Sequence, residues 1–358
     1  MRYKLLGHSG LRVSELCLGT MTFGEDLGWG APKDESRRMF DAFREAGGNF
    51  IDTSNDYTNG TSERLLGDFI GADREQVVLA TKYSFATTPT NTNRPVDVNN
   101  AGNQRKNMLQ AVEASLKRLK TDYLDLYWMH GWDALTPVEE VMRAFDDLVR
   151  QGKVLYIGIS DTPAWIVSQA NTLAKLSGWT PFIALQIEYN LVERTPERDL
   201  LPMARAFELG VTVWSPLGSG VLTGKYNNQS GATSSRAGRA EPTRRDATSF
   251  VRVDDYTLRV AAAVQQVADE LRRTPAQVAL NWIRQRGDTL IPILGARRLS
   301  QLQDDMACLE FRLSDAQMQR LNEVSKIDLG FPHDMLARDD TRKSLFAGIP
   351  DLIDQRRS

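Results

Sequence analysis

The feature that most restricts what this chain can become is an alternation kept up almost from end to end. A short apolar or β-branched run is followed by a longer stretch with apolar residues at helical spacing, eight times over. The strand candidates fall at 16–20, 49–53, 77–82, 123–130, 154–160, 183–187, 211–214 and 289–294. Helical spacing follows at 34–46, 63–71, 105–119, 137–151, 163–175, 197–208, 256–273 with 275–285, and 299–309. Several helices open on a capping residue and a proline, as at Thr136-Pro137, Thr162-Pro163 and Thr274-Pro275. Strands separated by helices pair in parallel, with the helices packed outside the sheet. An open doubly wound sheet usually stops at about five or six strands, so eight units predict an α/β fold of the closed (β/α)8 TIM-barrel type. We read 1–358 as one such domain. Residues 1–13, with Gly7-His8-Ser9-Gly10 between apolar residues, read as an N-terminal β-hairpin that plugs the barrel bottom, and 327–358 as an irregular C-terminal tail.

Three long polar stretches, 23–33, 83–104 and 217–255, each come directly after a predicted strand. In a parallel barrel such loops gather at the C-terminal mouth, where they wall a pocket. The part at 230–248, dense in Ser, Arg and Gly, reads both as a flexible loop and as a lid. Composition narrows the chemistry. The 44 Lys and Arg are spread among 46 Asp and Glu with a net charge of −2, so no basic face for nucleic acid is expected. Cys17 and Cys308 sit in apolar stretches, and His8, His130 and His333 stand far from one another and from either cysteine, so no metal site is expected. No apolar run is long enough for a signal peptide or a membrane span, which predicts a soluble cytoplasmic protein without a membrane partner. The oligomeric state is not legible at this level.

With the mouth as the site, the polar residues at strand ends become the candidates. The second strand runs out as Phe50-Ile51-Asp52-Thr53-Ser54-Asn55-Asp56-Tyr57, the third ends in Lys82 and the fourth in His130. Singly, each has an ordinary explanation: Asp52 caps a turn, Lys82 reaches for water, and His130 is a hydrogen-bonded core imidazole. Three apolar strands in succession ending in Asp, Lys and His outweigh those explanations.

Asp52, Tyr57, Lys82 and His130 in this arrangement resemble the catalytic tetrad of the aldo-keto reductases. The resemblance continues through Gly19-Thr20-Met21, Gly158-Ile159-Ser160-Asp161, Gln186-Ile187-Glu188-Tyr189-Asn190, Trp214-Ser215-Pro216-Leu217 and Ile291-Pro292-Ile293-Leu294-Gly295-Ala296-Arg297. Gly102-Asn103-Gln104-Arg105-Lys106-Asn107 is similar to the aryl-alcohol dehydrogenase-like branch. The resemblance implies NADPH-dependent reduction of a small aldehyde or ketone. Hydride delivery to a carbonyl carbon leaves negative charge on oxygen, which needs a positioned proton donor and nearby dipoles. Tyr57 is that donor, with Lys82 easing release of its proton, Asp52 balancing Lys82, and His130 donating a hydrogen bond to the carbonyl.

The same resemblance lays NADP(H) across the mouth, against Gly19, Thr20, Met21 and Asp52. Trp214 stacks on the nicotinamide, and Ser160, beside Asp161, and Gln186 bond its carboxamide. Ser215, Pro216, Leu217, Gly218, Gly220, Leu222 and Lys225 wrap the pyrophosphate. Gly295, Arg297, Gln301, Asp304 and Asp305 take the adenosine end, with Arg297 on the 2′-phosphate. Asp161 and Asp305 depart from the asparagines that many members carry; Asp305 is expected to accept from the adenine amine but not to donate. Substrate lining is expected from Met21, Phe23, Trp29, Tyr83, Phe85 and Trp132, an aromatic wall suited to aryl aldehydes. Two other readings compete. Relatives serve as cofactor-binding regulatory subunits of potassium channels, and Gly158-Ile159-Ser160-Asp161-Thr162 nearly matches a hydrolase nucleophile elbow, though Thr162 stands where glycine is required.

Overall fold

In a computed structural model, residues 1–87, 97–225, 253–287 and 289–353 are described. The stretch 88–96 of the second long loop, and 226–252 with the 230–248 segment, lie outside the described residues. The first antiparallel pair is β1 (Tyr3–Leu5) and β2 (Arg12–Ser14). Eight further strands, β3 (Cys17–Gly19), β4 (Phe50–Asp52), β5 (Val78–Tyr83), β6 (Leu124–Met129), β7 (Val154–Ser160), β8 (Phe182–Glu188), β9 (Gly210–Trp214) and β10 (Leu290–Leu294), form a closed parallel barrel in chain order, with β10 against β3. Helices lie between the strands as the spacing predicts, and Arg105–Leu119 and Pro275–Gln285 keep the expected bounds.

Two helices are shorter than their periodicity suggests. The 197–208 pattern becomes a 3-10 turn at Thr195–Glu197 and a helix at Leu200–Ala206, because Arg194 and Glu197 pair at 2.8 Å and hold the turn apart from the helix. The 299–309 pattern gives Leu299–Met306 and then a 3-10 turn. The tail is less irregular than expected: short helices at His333–Ala337 and Asp339–Leu345 have acidic residues in their first turns, which suits the positive end of the helix dipole.

Alternation along the strands sorts the core into two shells. Inward residues Cys17, Phe50, Val78, Ala80, Leu126, Trp128, Ala184, Ile291 and Ile293 fill the barrel. Outward residues such as Ile51, Leu79, Tyr127 and Met129 pack under the helices with Met39, Phe43, Met108 and Phe145. Leu6 and Val13 of the hairpin are fully buried in the inner cluster, so the hairpin closes the bottom. Gly7 makes that approach possible: its φ is +57°, and a Cβ there would sit 2.0 Å from the Ile183 carbonyl oxygen. Among the described residues, no helix is long and apolar enough to cross a membrane.

Candidate active site

The two-residue period that fills the barrel also builds its top layer. Phe50 is followed inward by Asp52, Val78 and Ala80 by Lys82, Leu126 and Trp128 by His130, and Ala184 by Gln186. With the bottom plugged, the polar layer faces the open mouth. Lys82 is fully buried, and its ammonium is satisfied by the Asp52 carboxylate, by the Thr53 carbonyl at 2.7 Å and by the Tyr57 hydroxyl at 3.1 Å. Gln186 Nε2 donates to the other Asp52 oxygen at 3.1 Å. An ammonium can only donate, so Tyr57 Oη accepts from Lys82 and its own proton is left for another acceptor.

Burial pushes the Tyr57 phenol up to about 12; Lys82 pulls it down, while Asp52 and Asp56 add to the rise. Lys82 acts in the direction the resemblance implies, lowering the proton affinity of the phenol, but removal from water outweighs the ammonium and the net shift is upward. Tyr57 therefore holds its proton at physiological pH, the state a donor requires. Burial likewise works against the Lys82 ammonium, but the charges and hydrogen bonds of Asp52 and Tyr57 together outweigh it and raise its proton affinity. His130 closes the layer. Its ring stands edge-on to Tyr57 with centroids 5.9 Å apart, and half-exposed Phe85 covers it at 4.4 Å.

A groove of about 490 Å³ leads away from this layer, lined by Ser215, Pro216, Leu217, Gly220, Lys225, Gly295, Arg297, Gln301, Asp304 and Asp305. A recess of about 50 Å³ over Gly19, Met21, Asp52, Tyr57, Gln186 and Trp214 shares Thr22, Ser215 and Gly295 with it, so the two are continuous. Gly220, at φ +89°, lets Lys225 lie across the turn; a Cβ there would meet the lysine Nζ at 2.5 Å. Asp161, at φ +42°, accepts from the Trp214 indole N–H at 3.0 Å and so anchors that ring. The buried hydroxyl of Ser160 meets no histidine, as a hydrolase would need, and its polar neighbour is the Asp161 carboxyl.

At the far end, Asp304 accepts from Thr274 Oγ1 at 2.9 Å and Gln277 Nε2 at 2.7 Å, the two side chains that cap the helix Pro275–Gln285. Gln301 accepts from the Arg297 backbone at 3.0 Å. Asp305 is buried, and burial with Asp304 alongside pushes its carboxyl up to about 8. That corrects the expectation that Asp305 only accepts: near neutral pH the protonated carboxyl both donates and accepts.

Several expected contacts do not face the groove. Tyr83, one residue past inward Lys82, points outward and stacks on Tyr127 at 5.4 Å. Phe23 is folded under the mouth against Phe69 at 6.3 Å, because the chain loops round and pairs Phe23 in parallel with Ala31. Trp132 is half-buried against the outer shell, whereas Trp29 does line the groove. Thr20 is buried, donating to the Asp52 carbonyl at 3.1 Å and accepting from Ser62. Leu222 turns into the core, and Gly218 is buried where the turn after β9 bonds back to Ser215 at 2.8 Å. Sequence reading passed over Asn190, whose amide donates to the Ser215 carbonyl at 3.1 Å and ties two mouth loops together. It assigned no role to Ser54 and Asp56, although both stand in the polar run that leads to Tyr57. It took Thr274-Pro275 only as a helix start, with no sign that this end borders the groove.

A sequence model described as the aldo/keto reductase family matches residues 15–326. Norsolorinic acid reductase of Aspergillus flavus is 35% identical over 345 residues, which cover 94% of this chain and 84% of that protein. Aryl-alcohol dehydrogenase [NADP(+)] of Phanerodontia chrysosporium is 36% identical over 333 residues, 90% of this chain and 86% of the relative. Aldo-keto reductase ausK of Emericella nidulans is 36% identical over 351 residues, 94% and 85% of the two chains.

Proposed function

Because this chain belongs to the aldo/keto reductase family, we propose that it reduces aldehydes or ketones to alcohols with NADPH, Tyr57 giving the proton. The observation that carries this reading is the Lys82 ammonium donating to Tyr57 Oη at 3.1 Å while Asp52 balances it, a buried arrangement at a barrel mouth. It leaves the phenol protonated with its proton uncommitted and keeps a cation beside the oxygen that becomes phenolate. In the reverse direction the same phenolate takes a proton from an alcohol.

The residues present fit a nicotinamide dinucleotide. The buried Ser160 hydroxyl suits a carboxamide, the half-buried Trp214 face suits a flat ring, and the groove ends among Lys225 and Arg297, which suit phosphates. Arg297 is the ground for preferring NADP over NAD. Bound there, the dinucleotide supplies the hydride; the chain supplies the proton, the orientation and the exclusion of water. For substrate we propose flat aryl carbonyls, because exposed Phe85 lies against His130 and a relative is named for aryl alcohols. Mixing the protein with NADPH and 4-nitrobenzaldehyde should bleach the NADPH absorbance band. Tyr57→Phe should bind NADPH unchanged yet turn over about 10²–10⁴-fold more slowly. Full turnover in that variant, or a panel of aldehydes left untouched by the wild type, sinks the proposal.

A further inference from the structure

The tetrad leaves two polar side chains unexplained, both facing His130 from the loop between β4 and Tyr57. Ser54 Oγ lies 3.2 Å from His130 Nδ1, Asp56 Oδ1 lies 3.5 Å from the same nitrogen, and Ser54 Oγ donates to Asp56 Oδ1. Counting protons gives each bond its direction. Burial pushes the Asp56 carboxyl up, but the hydrogen bond and charge of His130, the Ser54 hydroxyl and Lys82 hold it below the usual carboxylate range. As a carboxylate it only accepts, so Ser54 commits its single proton to Asp56 and must accept from Nδ1–H. A neutral His130 ring then has a bare Nε2, which cannot donate to a carbonyl until it takes up a second proton.

The charged and titratable groups that face the ring come from three elements. Asp56 and the Tyr57 hydroxyl face the ring from the loop after β4, the Lys82 ammonium from β5 and the Asp161 carboxyl from the turn after β7. Lys82 is already balanced by Asp52, and Asp56 is the acid in contact with the ring. Nε2 has no hydrogen-bond partner among the described residues. We propose that Asp56, acting through Ser54, is a positioning residue that fixes the His130 proton on Nδ1 and supplies the countercharge for the Nε2 proton donated to a bound carbonyl. Spacing makes this possible: Ser54 and Asp56, two residues apart, both reach the ring in the loop that delivers Tyr57.

The carbonyl-donating half of this inference rests on the reductase reading, so the deciding readout is one that needs no turnover. With only three histidines in the chain, His130 can be followed by nitrogen-15 NMR, using His8→Gln and His333→Gln to assign the spectrum. Asp56→Asn should weaken proton uptake at His130 Nε2 about tenfold, and Asp56→Glu should restore most of it. Ser54→Ala should lower the Nδ1–H share of the neutral ring. In the reductase assay, the fall of kcat/KM with rising pH should begin about one unit lower in Asp56→Asn, with the NADPH Kd unchanged. An unshifted His130 titration in an Asp56→Asn protein that melts like wild type overturns the proposal. If that variant does not fold, an unchanged tautomer in Ser54→Ala overturns it. A shifted titration in a protein that reduces no carbonyl sinks the reductase reading and leaves the Asp56–Ser54–His130 relation standing.

Discussion

The two ends of the groove are built by opposite means. At the inner end, strands deliver Asp52, Lys82, His130 and Gln186 from consecutive inward positions, and the Lys82 ammonium has all three partners it can use. At the outer end, the turn after β9, the loop after β10 and two helices converge, and a carboxylic acid lies in the wall with no ion partner among the described residues. The inner end is preorganised: its charges are desolvated, paired and unable to move without breaking the barrel's top layer. The outer end trades that rigidity for adaptable recognition, since cations and acids on loops can be exchanged without touching the sheet.

Changes at either end test the contrast. Lys82→Met should have the largest effect, because it strands a buried Asp52 carboxylate without its cation. A loss of about 3–5 kcal/mol of folding stability in urea denaturation is expected, with most of it recovered in the double variant carrying Asp52→Asn. A single variant as stable as wild type would mean that the inner end is not held by that pair. Arg297→Met, at the outer end, should leave stability alone and weaken NADPH binding about 10- to 100-fold relative to NADH, measured by titrating cofactor fluorescence. Equal losses for both cofactors would remove the ground for preferring NADP.

Asp305→Asn should have the smallest effect, and one that depends on pH. The carboxyl ionises near about 3.9 when unfolded and near 8 when folded. The folded state binds the proton more tightly, so wild-type stability falls as pH rises between those values and is flat beyond them. Replacing the acid should stabilise the fold above pH 8 and change little near pH 4, read as a melting-temperature difference at the two pH values. A gain independent of pH would show that charge is not what Asp305 costs the fold.

How much was legible follows the same division. Strand parity is a property of the chain alone, so the barrel, the hairpin under it and the inward Asp52, Lys82 and His130 are all recoverable from spacing. Tyr83 shows the same rule misapplied: one position past Lys82, it belongs to the outer shell, and parity would have said so. Thr20 and Leu222 failed for another reason, since neighbours in sequence to groove residues are not neighbours in the groove when a tight turn intervenes.

The sequence by itself determined the (β/α)8 order and the residues that end each strand on the inner face, because alternation of side chains is local and every strand repeats it. Only the tertiary structure decided which way the Tyr57 phenol shifts, that Asp56 and Ser54 reach His130, and that Asp305 is a neutral acid at pH 7. Those outcomes depend on how much water each group loses and which charges from other strands and loops come within a few ångströms. Both quantities are set by closure of the barrel.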